Sequence, residues 1–144
     1  MHHRDTESTE ICLLRVLCVS VVILMFAGVL CAQSHDGDWT GATVQTGTSG
    51  RPLGFSVRNS VLTAYSIEFL LPQCTIYVAL ANTNANVPLS GNQFSLTEQF
   101  GAGNRITLNL AGSFSSGTQA SGTFSVTDTS CNGSASGTFT ASAP

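Results

Sequence analysis

The chain has 144 residues, room for one domain with a real core once any leader is set aside, and a formal charge of -3 with only 9% charged residues. It contains no Lys, and the five basic residues are Arg4, Arg15, Arg51, Arg58 and Arg105. The region after the leader sets three Arg against Asp36, Asp38, Glu68, Glu98 and Asp128, which excludes the basic face that a nucleic-acid-binding protein needs.

Residues 1 to 15 are mostly polar and carry Arg4 and Arg15, and Val16 to Leu30 is an apolar run broken only by Ser20 and Gly28. An apolar core of this length fits a signal peptide better than the roughly 20 residues of a membrane-spanning helix. The reading is a signal helix over 1–32, cleaved after Cys31 or Ala32, and a domain over 33–144. The alternative is a membrane anchor formed by residues 16–32. Both place the domain outside the cytoplasm, secreted or at the cell surface. Contact with a membrane is expected only through that leader.

Cys12, Cys18 and Cys31 fall in or beside the leader, leaving Cys74 and Cys131 for the domain. In an exported domain such a pair predicts one disulfide, the alternative being two buried thiols. No His lies near either Cys, so no metal site is expected.

From Asp38 onward the apolar residues recur with period two in short runs separated by Gly, Asn, Ser and Pro, the pattern of strands. Trp39 to Val44 reads as a first strand, followed by turn material from Thr46 to Pro52. Leu53, Phe55 and Val57 form one face of a second. Asn59 and Ser60 are placed as a tight hairpin turn before a third strand carrying Tyr65, Ile67, Phe69 and Leu71 on one face. Pro72 and Gln73 break this run. Cys74, Ile76, Val78 and Leu80 continue the period in a fourth strand, and the Asn-rich span from Ala81 to Pro88 reads as a surface loop.

Phe94 and Leu96 mark a fifth strand, Gly101 to Asn104 a turn, and Ile106, Leu108 and Leu110 a sixth. Three segments then share the order small residue, Gly, hydroxyl, Phe: Ala111 to Phe114, Ser121 to Phe124 and Ser136 to Phe139. Their spacing is too short for a solenoid array, so they read as successive strands of one meander. A Gly before a core Phe lets an aromatic from a neighbouring strand lie over bare backbone. Eight or nine such strands predict an all-β domain, a single antiparallel β-sandwich or, as the alternative, a small β-barrel.

The succession Trp39, Gly41, Phe55-Ser56-Val57-Arg58-Asn59, Tyr65 to Phe69, Cys74, Asn92 to Ser95, Gly112 to Ser115, Ala120 to Phe124, Cys131 and Ser136 to Ala141 resembles small secreted bacterial β-sandwich domains of unknown function. The resemblance implies export and a β fold, and it carries no catalytic residues.

A hydrolytic triad needs a His base, and after the leader only His35 could serve. It sits in the polar segment Gln33 to Asp38 and reads as a solvated residue of a frayed terminus. Glu68 and Glu98 are the domain's only Glu, and alternation places both outward as solubilising charges rather than as an acid and base pair. Asp36-Gly37-Asp38 reads as a polar turn, and Asn132-Gly133 as a hairpin turn. No enzyme and no cofactor is expected.

Two functions fit this chemistry. One is a structural or adhesive cell-surface domain that binds a surface protein, since strand edges without Lys favour pairing with another chain. The other is a carbohydrate-binding module using Tyr77, Trp39 or Tyr65, whose aromatic faces can stack on sugars in a polysaccharide. Alternation puts Tyr77 outside, whereas Trp39 and Tyr65 read equally well as core.

Overall fold

A computed structural model describes residues 34–48 and 50–144; the expected leader lies outside the described residues. Eight strands follow one another: β1 (Gly37–Gln45), β2 (Arg51–Arg58), β3 (Val61–Leu71), β4 (Ile76–Pro88), β5 (Gln93–Phe100), β6 (Ile106–Phe114), β7 (Gln119–Asp128) and β8 (Gly133–Ser142). Short 3-10 turns, Pro72–Cys74 and Ala102–Asn104, link β3 to β4 and β5 to β6. Among the described residues no helix is long and apolar enough to cross a membrane.

All eight strands belong to one antiparallel sheet in the order β4-β3-β2-β1-β8-β7-β6-β5. Every sequential neighbour pairs except β4 with β5, and the first and last strands pair with each other from Thr40–Ser142 to Gln45–Gly137. The sheet therefore curls into a nearly closed, barrel-like form with one seam. The expected division into two separately bonded sheets gives way to a single sheet, because β1 continues the ladder directly into β8.

The barrel has two ends. At one lie residues 34–36, the hairpin turn at Asn59 and Ser60, and the β4–β5 and β6–β7 turns. At the other lie the Pro72–Cys74 turn and the β7–β8 turn, joined by the Cys74–Cys131 disulfide, whose Cα atoms are 5.5 Å apart. Asn59 and Ser60 both take positive φ, 53° and 60°, the two-residue hairpin geometry that their position predicts.

Core-facing residues alternate along the strands as expected. Trp39, Phe55, Tyr65, Ile67, Phe69, Leu108, Leu110, Phe114, Phe124 and Phe139 are all buried. Trp39 stacks on Phe55 at 5.7 Å, and Phe114 meets the edge of Trp39 at 4.8 Å. The three Gly-containing segments explain how so many rings fit. Phe94, Gly112, Gly122 and Phe139 form one row across β5, β6, β7 and β8. The rings of Phe94 and Phe139 lie over the bare backbone of the two glycines, and Phe124 covers Gly137 in the same way.

The span from Ala81 to Pro88 is a correction to the expected loop, since it is the second half of β4. Its pattern is obscured for two reasons. The β3–β4 register slips between Tyr65–Thr83 and Ile67–Leu80, and again between Leu62–Val87 and Ala64–Asn84, each time adding a residue to β4. Asn82 has a positive φ of 48° at the first slip. As an edge strand, β4 also buries none of its residues fully.

Gly122→Ala tests the ring-over-glycine packing, because a Cβ there would run into the Ala111 carbonyl and the Phe139 ring. The expected loss is about 1–3 kcal/mol, read as a lower urea midpoint at unchanged slope. An unchanged midpoint would refute the packing. Replacing Cys74 and Cys131 together by Ser removes a bridge spanning 57 residues of sequence and is expected to cost about 4 kcal/mol, checked by the same titration.

Candidate functional site

The barrel's interior is filled by side chains, so candidate sites lie on its rim, its outer face and its seam. A concavity of about 640 Å3 runs over the outer face of β5, β6 and β7 and up to the end of β4. Ser95, Ala111, Ser113, Ser121 and Thr123 line it, with Val87 and Pro88 on the seam side. It arises because the two central strands present only small side chains outward where Gly112 pairs with Gly122. No ionisable side chain lines it. Hydroxyls and main-chain groups can hydrogen-bond there, but nothing in it can act as a general acid or base.

The ionisable groups that sequence raised as candidates are placed elsewhere, each in a bond that serves the fold. His35, expected to be solvated, is instead buried, 5% exposed. Its ring stacks on Phe114 at 4.4 Å, its Nε2 is 3.0 Å from Asn92 Oδ1, and its carbonyl accepts a bond from Trp39 Nε1 at 3.0 Å. The segment before β1 thus folds over the barrel end, and the indole N–H finds its partner in it. The signal was available only in retrospect: a buried Trp needs an acceptor, and the polar residues ahead of it supply one.

Asp36 accepts bonds from the N–H groups of Asn59 and Ser60, at 2.9 and 3.0 Å, and these two bonds hold its carboxyl below the usual range. Asp38 bonds Ser56 and Arg58, at 2.7 and 2.6 Å, and is lowered likewise. Instead of one shared turn site, the two carboxylates brace the β2–β3 hairpin from separate points. At the opposite end Asp128 is buried and accepts from the Ser130 hydroxyl and N–H, with Arg105 3.6 Å away. The Ser130 hydroxyl is the chief reason that its carboxyl is also held low. Asp128 lies beside Cys74 and Cys131, but their sulfurs are joined to each other.

The two Glu part company. Glu68 faces outward as alternation predicts and accepts the hydroxyl of Tyr77. Glu98, expected outside, faces inward: at even spacing from Phe94 and Leu96 it shares their face, as the period itself requires, and it accepts the hydroxyl of Tyr65 reaching across from β3. Burial, and then this carboxylate, push the Tyr65 phenol up. With Glu98 inside and Glu68 outside, the pair cannot flank one substrate bond.

Of the aromatic candidates, Trp39 and Tyr65 are each 1% exposed and belong to the core. Tyr77 is 48% exposed, and the Arg51 guanidinium lies over its ring at 4.9 Å. Sequence reasoning missed Gln45, which is buried and bridges β1 to β3 beyond the end of β2. Its side-chain amide donates to the Leu70 carbonyl at 2.7 Å and accepts from the Leu70 N–H at 3.1 Å. The β2–β3 register ends at Leu53–Ile67, so Gln45 replaces a strand partner that β2 is too short to provide.

Compared with known protein families, with curated proteins and with solved structures, the chain matches none.

Asp36→Asn tests the hairpin brace through pH. A carboxyl whose folded pKa is lowered stabilises the fold above its unfolded value of about 3.9, and that contribution disappears as pH falls through the folded value. The native protein should therefore be more stable than the Asp36→Asn variant by a constant margin above about pH 5, with the gap closing in acid. Parallel stability curves down to about pH 2 would refute the brace.

Proposed function

We propose that this is an exported, non-catalytic domain with a structural or adhesive role, binding a protein at the cell surface. The observation that carries the reading is the disposition of ionisable groups. The side chains of His35, Asp36, Asp38, Glu68, Glu98 and Asp128 each serve a stacking, capping or cross-strand bond, and the concavity over β5, β6 and β7 holds none of them. A leader with a following disulfide-bridged β domain supports the extracytoplasmic setting. The finer assignment to a secreted bacterial sandwich-type domain belongs to the same proposal and rests on the resemblance alone.

A carbohydrate-binding module is the second reading, favoured by one observation, the exposed Tyr77 with Glu68 and Arg51 beside it. Arg51 occupies one face of that ring, so a sugar would stack on the other. Trp39 lies deep in the core, and its emission reports folding rather than a ligand at Tyr77.

The two readings separate when the immobilised protein is exposed to a cell-surface extract treated beforehand with protease or with periodate. Saturable retention that protease abolishes and periodate spares is the expected result. Retention with the opposite sensitivities, lost in Tyr77→Ala, would establish the carbohydrate reading and overturn the first.

A further inference from the structure

The seam between β4 and β5 is where the sheet stops one ladder short of closure. An isolated bridge joins Ser90 to Gln93 at the hairpin end, with Ser90 N–H donating to the Gln93 carbonyl at 2.8 Å and Gln93 N–H to the Ser90 carbonyl at 3.2 Å. Both main-chain groups of Gln93 thus point toward β4. Along an antiparallel strand these directions alternate, so Phe94, Leu96, Glu98 and Phe100 bond β6, while Ser95, Thr97 and Gln99 turn their N–H and C=O groups into the seam. No bond from another described residue reaches these three residues' main chain.

The two lips differ. β4 carries two register slips, a residue in the left-handed region at Asn82, and Pro88, which has no N–H to offer. Bulges and Pro are devices that keep an edge from pairing. β5 has none of them: Gln93 to Phe100 is regular in register, without Pro, Gly or Lys, and its single charge, Glu98, is turned inward to Tyr65. Along the seam the core is only half covered. Val78, Leu80, Ala85 and Val87 on one lip and Phe100 on the other pack against the core yet remain partly exposed.

From these observations we infer that β5 is a docking edge for one extended segment of the partner protein. The segment adds to β5 as a strand, bonds Ser95, Thr97 and Gln99 through its main chain, and lays alternate apolar side chains over the half-covered lips. This deepens the protein-binding reading above and rests on it. Main-chain bonding supplies affinity that tolerates sequence, and the apolar row selects segments with period-two hydrophobicity. Tyr65 and Glu98 lie beneath, on the inner face, and leave the edge itself free.

The test is amide hydrogen exchange on the protein with and without a blocked peptide of alternating Val and Thr. In the free protein the amides of Ser95, Thr97 and Gln99 should exchange fast while those of Leu96 and Glu98 are protected. The peptide should slow the first three at least tenfold and leave the second pair unchanged. Thr97→Pro removes one seam-facing N–H and no main-chain bond to β6, only the side-chain bond from Thr97 Oγ1 to Asn109 Oδ1, and should abolish the peptide's effect while Leu96 and Glu98 stay protected. Gln99→Pro serves the same purpose if that variant fails to fold. Protection of the three amides without peptide, or no change with millimolar peptide, would overturn the inference. If protease-sensitive retention of a surface protein persists undiminished in the folded Pro variants, the docking edge is wrong while the protein-binding reading stands.

Discussion

Pairing of the first strand with the last is the constraint on which the rest depends. A meander of eight strands has two free edges and two faces, and β1 against β8 joins its halves so that one face becomes the inside of a barrel. Only then do Trp39 from β1, Phe55 from β2, Phe114 from β6 and Phe139 from β8 meet as one cluster. The interior they fill is too narrow for eight strands of large residues, and the glycine row at Gly112 and Gly122 relieves it. Outside, the face above this row is shallow for a separate reason: the residues that flank the glycines and point outward, Ala111, Ser113, Ser121 and Thr123, are all small.

Closure is completed by side chains where backbone fails. Gln45 supplies an amide to Leu70 beyond the end of β2, Tyr65 reaches Glu98 across the inside of the seam, and His35 with Asp36 closes the end where residues 34–36 lie. Gln45, Tyr65 and His35 are buried polar groups that must find a partner, since leaving one unpaired costs about 1–3 kcal/mol, whereas Asp36 caps the hairpin from the surface. Polar residues that would suggest chemistry in a cleft are stitches of the fold, dispersed among the described residues.

Local order was legible in sequence wherever one strand alone decided it. Period two located the strands, Asn59 and Ser60 marked a hairpin, Cys74 and Cys131 a bridge, and the Gly-to-Phe spacing the aromatic packing. What escaped depends on neighbours far away in the chain. Ala81 to Pro88 lost its alternation to two extra residues whose only role is against β3. Glu98 is the exception: at even spacing from Phe94 and Leu96 its inward face follows from period two, and expecting it outside put its charge ahead of that period. His35 looked solvated because its stacking partner, Phe114, and its bonding partner, Asn92, lie 79 and 57 positions on. Alternation is a local rule, and curling a sheet into a barrel is decided between strands.

Because β1 and β8 are antiparallel neighbours, residue 34 and residue 144 emerge at the same end of the barrel. A pull applied between them does not shear a ladder, in which all bonds would resist together. It opens the Thr40–Ser142 end first and then the pairs toward Gln45–Gly137 one at a time, as a zipper. The direction of loading therefore decides mechanical strength. A domain tethered through residue 34 alone and gripped elsewhere on its sheet would not engage this zipper, and the weakest path through the fold would carry no force.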